Sequence, residues 1–499
     1  MEAHIRSLAE PYRLSLHPPT LLRILGLSAL FVCLSPLLPG RDLAFKVQVG
    51  ACASLLSVFV LVPAALKART GRELLTFPGT PFVILNFVYF VVSSLAPLVY
   101  PRGYYGSVSF NALPISLLIL CLAFLSFDMG VLLSGGLPKT RRVIVSGPAR
   151  IAGLGVLTTL AAVALWSTRI VLATMGYGIT HVPTMVTLDP DVSQMSVLSG
   201  SLAYVPLCLC LARLCSHDLL PGELRVWRRR LAWVFVADLL YYVLTGSRLG
   251  LLWEILIPLW ACWCRKVRVL SRVMVLVLGL AVAAAVPLIY AQRSALAGLR
   301  PQLGENHLKL TRDYLPAAEG DLAGANLWST LTAGAVADAS RLSAIGPFSG
   351  VAEKVVSGRY SLMWGNTLGA ELPLLVPHLL WPAKPVGEKI DYIINRHFNL
   401  FSFDELTTCQ TELLANFGIV GLCVGLLLYG VVTERVCAPL APGSSASEPT
   451  LFFLLCAMPL VFRVETDITM ILAGLRLLVP VWALLRAFEQ RGSLQLRES

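Results

Sequence analysis

The sequence predicts an all-α membrane protein, a polytopic bundle of about twelve transmembrane helices with one large extracytoplasmic loop. Three observations predict it. Of 499 residues, 56% are hydrophobic and 14% charged, whereas soluble domains average roughly 45–50% and roughly 25%. The apolar residues fall in runs close to the roughly 20 needed to cross a hydrocarbon core of ~30 Å. Lysine and arginine gather in alternate connectors, as expected where short basic loops stay cytoplasmic.

Taken in order, the runs place spans near 21–38, 44–66, 80–100, 111–134, 151–174, 197–215, 231–247, 249–264, 270–290, 411–433, 450–462 and 466–486. Arg6 and Arg13 precede the first run as they would a signal peptide. Leu37, Pro39, Gly40 and Arg41 lack the small-x-small cleavage pattern, so an uncleaved first helix is expected. Residues 1–290 thus hold transmembrane helices one to nine, 291–410 a large extracytoplasmic loop with amphipathic helices, and 411–499 the last three spans. Within the loop, Asp321–Gly346 is helix-compatible and only moderately apolar, which suits a helix lying on the membrane surface or capping the bundle.

The basic connectors are the N-terminus (Arg6, Arg13, Arg23), Lys67/Arg69/Arg72, Lys139/Arg141/Arg142/Arg150, Arg225/Arg228/Arg229/Arg230, Arg265/Lys266/Arg268/Arg272 and the tail (Arg486, Arg491, Arg497). Those between hold few: Arg41 and Lys46, then Arg102, Arg169 at a helix end, and Arg248. Both termini are therefore expected in the cytoplasm. The net charge of +11 is accounted for by topology and anionic lipid, so no nucleic acid is expected. The twelve cysteines lie almost all in apolar spans; Cys208/Cys210 and Cys262/Cys264 are spaced i,i+2, which points the side chains apart on a helix, and no disulfide or metal site is indicated. No P-loop or other nucleotide motif is present, and no inverted repeat of the transporter kind is evident.

The residues that could carry chemistry gather on the extracytoplasmic side. Arg248 lies in Thr245-Gly246-Ser247-Arg248, a short turn between two apolar helices, where helix-start N–H groups and a guanidinium could share an anion. The alternative is an arginine that snorkels to the headgroups. Glu254 lies about 9 Å deeper on the same helix, and Asp238 and Arg476 are likewise intramembrane; each should have a partner or a task. Asp128 sits nearer the cytoplasmic end and is given no role.

A second cluster, Tyr290-Ala291-Gln292-Arg293 followed by Arg300, lies just outside the ninth span. A third is the connector Phe462-Arg463-Val464-Glu465-Thr466-Asp467. Arginines converging from separate connectors suit a diphosphate at the headgroup plane. The loop adds Arg341, Arg359-Tyr360, Glu371, the stretch Pro373–Pro385 with His378, Trp381 and Lys384, and Arg396-His397, a set suited to stacking on sugars and binding their hydroxyls. For Trp381, a rigid Pro-Trp turn resting at the interface is the plainer alternative.

This arrangement resembles the Wzy-type O-antigen and exopolysaccharide repeat-unit polymerases of the O-antigen polymerase and ligase superfamily. The likeness rests on Thr245-Gly246-Ser247-Arg248, on Pro377-His378-Leu379-Leu380-Trp381-Pro382-Ala383-Lys384-Pro385, on Thr411-Glu412-Leu413-Leu414-Ala415-Asn416-Phe417-Gly418, and on Arg463-Val464-Glu465. With the topology it spans roughly residues 230–490. The resemblance implies a glycosyltransferase at the outer face of the cytoplasmic (inner) membrane. The growing glycan would move from undecaprenyl diphosphate to an incoming lipid-linked repeat unit, without metal or cofactor.

Arg248, Arg293 and Arg463 would stabilise the departing diphosphate, and Glu412, Glu465, Asp467, His378 and His397 are the candidate bases. Arg341, Arg359, Tyr360, Trp381, Lys384, Arg396 and His397 would bind substrate. The partners implied are the undecaprenyl-diphosphate-linked oligosaccharide, membrane lipid, a chain-length regulator and a flippase. Two competing readings are an O-antigen-ligase-like enzyme, and a transporter or flippase of lipid-linked sugars.

Overall fold

The computed structural model describes residues 18–38, 42–67, 80–95, 98, 110–134, 148–174, 199–200, 202–216, 221–244, 248–265, 344–376, 381, 390–400, 408–440 and 446–464, with 468 and short runs between 471 and 487. Among these, all regular structure is helical. The chain divides into two compact units, each assembled from separated stretches.

The first unit comprises Met1–Arg141, Asp338–Ser444 and Leu460–Arg476. It contains α1 (Pro18–Leu34), α2 (Leu43–Lys67), α3 (Thr80–Asn86), α4 (Leu113–Ser134), α9 (Ile345–Val356), α10 (Asn366–Leu375), α11 (Ile390–Phe398) and α12 (Cys409–Cys437). The second unit comprises Arg142–Ala337, Ser445–Pro459 and Leu477–Ser499. It contains α5 (Pro148–Thr174), α6 (Val205–Leu214), α7 (Pro221–Leu244) and α8 (Arg248–Arg265), with most of α13 (Glu448–Val461).

Four of these helices, α2, α4, α5 and α12, are long and apolar enough to cross a membrane. Their outward faces agree. On α4, Leu118, Leu122, Leu125, Met129 and Leu133 are exposed, and on α12 so are Val420, Val424, Leu428 and Val432. Such i,i+3/i+4 apolar stripes would be aggregation surfaces in water and are ordinary surfaces in lipid.

In the first unit α4 packs on α12 at backbone contact. A Cβ at Gly130 would collide with the carbonyl of Leu427, and one at Gly430 with that of Phe127. Small residues facing each other allow membrane helices to approach this closely.

The helix α7 departs from expectation. Hydropathy places its start near 231 and leaves Arg225, Arg228, Arg229 and Arg230 in a connector. In the structure these arginines lie within the helix, which begins at Pro221 with Glu223 in its first turn. Proline at a helix start, an early acid and no breaker before Leu231 let the helix run on past its apolar part. The charges of this level are ordered as well. Arg213, in the last turn of α6, is fully buried and donates to Glu448 at 2.6 Å and Glu223 at 2.8 Å, the acids heading α13 and α7.

Candidate functional site

Helix α12 carries the construction that organises the first unit. Thr408 caps its N-terminus by accepting from the Thr411 N–H at 3.1 Å. The helix is broken at Gly418, where φ is 67° and ψ −164°, a region open essentially to glycine alone. The break strips carbonyls of the preceding turn of their helical donors. Two are taken up from outside: the N–H of Met363 donates to Ala415 O at 3.1 Å, and that of Trp364 to Asn416 O at 2.9 Å. Broken helices within a membrane protein persist only where protein or water satisfies the freed groups.

Side chains lock the same crossing. The Gly365 N–H donates to Asn416 Oδ1 at 3.0 Å, and Asn416 Nδ2 donates to Thr367 Oγ1 at 2.7 Å and to Glu412 O at 2.9 Å. Thr367 passes its own proton on to Glu412 Oε1 at 2.8 Å. Glu412 Oε2 accepts from the Ile468 N–H at 2.9 Å. Gln410, one turn earlier, donates to Asn86 Oδ1 at 2.9 Å, just before a π-helical turn at Phe87–Val91. Thr367, Gln410, Glu412 and Asn416 are all buried, so the network works in a low-dielectric interior where each bond is strong. Glu412, a sequence candidate for the base, here has both carboxylate oxygens engaged and acts as a clamp.

The clamp closes on the connector that carries Arg463. Its near end is pinned by Tyr429, whose hydroxyl donates to the carbonyl of Val461, and by Phe462, buried against Phe82 at 6.4 Å. Its far end is held at Ile468 by Glu412. Between them Arg463, flanked by buried Phe462 and Val464, is half-buried, and its Nε is sealed from solvent with no hydrogen-bond partner among the described residues. A guanidinium with an unused buried donor suits an anion better than it suits a snorkelling anchor. Glu465, Thr466 and Asp467 lie outside the described residues.

The predicted binding residues of the loop partly converge in the same unit. His397 donates from Nε2 to Ser361 O at 2.8 Å, which leaves Nδ1 as the ring's acceptor in the neutral form. Tyr360 packs on Phe398 at 6.0 Å with the Lys354 ammonium 5.5 Å from its ring centroid. Arg359 and Arg396 are both exposed at this junction. Helix α11 turns Ile390, Ile393, Ile394 and Phe398 inward and is amphipathic. Trp381 is exposed.

Arg341, His378 and Lys384 lie outside the described residues, as does Arg293. Arg248 is the first residue of α8, and its side chain lies outside what is described. Of the stretch Asp321–Gly346, only Ala344–Gly346 is described; it is buried and leads into α9, whose Phe348 meets Phe90 at 6.1 Å.

One aromatic residue escaped the sequence reading. Trp364 is 76% exposed and holds φ at 51°, unusual for a bulky side chain. Its backbone is fixed by the Asn416 carbonyl and by Gly365, which itself adopts a φ of 83°. The turn signal Trp-Gly-Asn in a polar segment could have marked it.

The second unit buries a separate polar cluster. Arg169, read from sequence as a helix-end residue of a sparse connector, is 3% exposed and paired with Asp238. It donates to the Tyr242 hydroxyl at 3.3 Å, and its guanidinium carbon lies 3.9 Å from the Tyr241 ring centroid and 5.3 Å from those of Trp166 and Tyr242. Asp238 thus has the partner its position demands. Among the described residues no group of three or more His, Cys, Asp or Glu is placed to hold a metal ion.

Comparison with protein-family models, with curated proteins and with solved structures gives no match for this chain.

Proposed function

We propose that the protein is a polysaccharide polymerase, transferring the growing glycan from undecaprenyl diphosphate to an incoming lipid-linked repeat unit. The observation that carries the reading is Arg463, held in a connector clamped at both ends, with a buried donor nitrogen that has no partner among the described residues. Two stretches on which the family resemblance rests, Thr411–Gly418 and Arg463-Val464, contribute to that one clamp. The full reading adds about twelve spans, cytoplasmic termini and an extracytoplasmic site in the inner membrane.

In the transfer, the acceptor hydroxyl oxygen forms a bond to the anomeric carbon as the carbon–oxygen bond to diphosphate breaks. The leaving diphosphate takes the electron pair, and a base takes the hydroxyl proton. Charge therefore grows on the diphosphate, where fixed guanidinium donors in a partly dry site are worth about 2–4 kcal/mol each. Arg463 serves here, with Arg248 and Arg293 as the further candidates. With Glu412 engaged as a clamp, His397 through Nδ1, His378, Glu465 and Asp467 remain the candidate bases. Exposed Trp364 and Arg359, with half-buried Tyr360 beside them in sequence, provide stacking and hydroxyl contacts for sugar.

The test is a gene deletion complemented with variants. The deletion should leave surface glycans of a single repeat unit while the lipid-linked unit is still made; long lipid-linked polymer persisting there would favour the ligase reading. Arg463→Lys and Arg248→Lys should fall nearly as far as the alanine variants, roughly 100-fold, because a point charge cannot reproduce the planar five-donor fork. Alanine variants that polymerise near the wild-type rate at normal abundance would overturn the proposal.

A further inference from the structure

The second unit contains a carboxylate that the glycan-transfer reading does not use. Glu254 of α8 is fully buried, and neither of its oxygens has a hydrogen-bond partner. The adjacent ion pair is incomplete too, since Asp238 gives one oxygen to Arg169 while its Oδ2 is buried without a partner.

Geometry brings these groups together. Helices α7 and α8 are successive, and Asp238 lies six residues before the end of α7 while Glu254 lies six residues after the start of α8. At about 1.5 Å per residue both acids sit ~9 Å from that turn, at one level. They also share the packed faces. Tyr242 of α7 clusters with Leu251 and Ile255 of α8, and Phe235, Leu239 and Leu259 pack against them. Asp238 follows Phe235 by three residues and precedes Tyr242 by four; Glu254 follows Leu251 by three and precedes Ile255 by one. By helical periodicity both carboxylates belong to the facing stripes.

A third oxygen source comes from the backbone. Pro258, inside α8, has no N–H to offer the carbonyl of Glu254 four residues back, so that carbonyl lacks its helical donor. Among the described residues Arg169 is the one cation beside these two acids, and it pairs with Asp238, so Glu254 is left without a counter-charge. Among the described residues the groups facing Glu254 are Asp238 and Tyr242 of α7, Cys208 of α6 and Arg169 of α5. Intramembrane acids of this kind take a counter-charge, and carbonyls released from a broken helical ladder are established ligands for small cations.

We infer that Glu254, Asp238 and the Glu254 carbonyl form a site for one exchangeable monovalent cation, sodium or a proton, inside the second unit. This goes beyond glycan transfer and stands without it.

The experiment is infrared difference spectroscopy on the full-length protein in lipid nanodiscs. One arm exchanges sodium for choline at fixed pH, and the other moves from acidic to alkaline buffer without sodium. Beyond the exposed-carboxyl bands common to every variant, a difference band from a buried carboxyl is expected in the sodium arm or the proton arm, which identifies the ion. It should be lost in Glu254→Gln and retained, shifted, in Glu254→Asp. The second variant also serves if the glutamine protein fails to fold. No such band in either arm, or one unchanged in Glu254→Gln and unshifted in Glu254→Asp, overturns the inference.

Discussion

Replacing Gly418 by alanine tests whether the break in α12 is as tightly determined as the structure indicates. At φ 67° and ψ −164° the backbone occupies a region that costs a residue with a Cβ about 1–3 kcal/mol. The added methyl would lie 3.3 Å from Leu362 Cδ1, the end of a flexible side chain that can shift, so backbone strain dominates. The chain could escape the strain by straightening α12. The recaptured carbonyls would then abandon the N–H groups of Met363 and Trp364, at about 1–3 kcal/mol for that of buried Met363, and the bonds of Asn416 to Gly365 and Thr367 would be pulled apart as well. Straightening is therefore the costlier route, and the variant should stay broken and strained.

The expected loss of about 1–3 kcal/mol corresponds to roughly 5- to 150-fold in the folding equilibrium. Thermal unfolding of the purified protein in detergent, followed by loss of monodisperse elution, reads it. Gly26→Ala is the control: with nothing within 4 Å of the new methyl inside α1, it should stabilise by about 0.5–1 kcal/mol. Gly418→Ala melting at or above wild type, beside a control that behaves, would refute the account of the break.

Two further outcomes follow from the second unit and from the topology. Arg169→Met leaves Asp238 buried and uncompensated, which should destabilise by about 3–5 kcal/mol, whereas Arg169→Met with Asp238→Leu should recover most of that loss. Melting temperatures of the two single variants and the double measure it, and a double variant no more stable than Arg169→Met would refute the pairing. Ser357 is exposed just beyond α9; with an extracytoplasmic loop, a cysteine there should react with a membrane-impermeant thiol reagent in intact spheroplasts, and one at Ser146 should not. The reverse labelling would invert the proposed orientation.

Helicity and apolar character were legible in the sequence because both are local. A run of apolar residues near membrane length specifies helix and lipid exposure by solvation of its own side chains and backbone. Where the determinant was not hydropathy, the reading slipped: α7 continues ten residues into a basic stretch because a proline start and an early acid, not apolarity, set its start. The acids within apolar runs were visible as residues needing partners, but not which partners.

The associations themselves belong to the tertiary structure. Glu412 meets Thr367 and Ile468 across 45 and 56 residues, and Arg169 meets Asp238 across 69. No spacing within one helix encodes such meetings; they depend on which helices are neighbours and how each is rotated about its axis. The sequence by itself determined that polar groups buried in apolar helices must be satisfied. Only the packing decided by what, because a hydrogen bond is made over about 3 Å while a helix turned by one residue moves its side chain by about 100°.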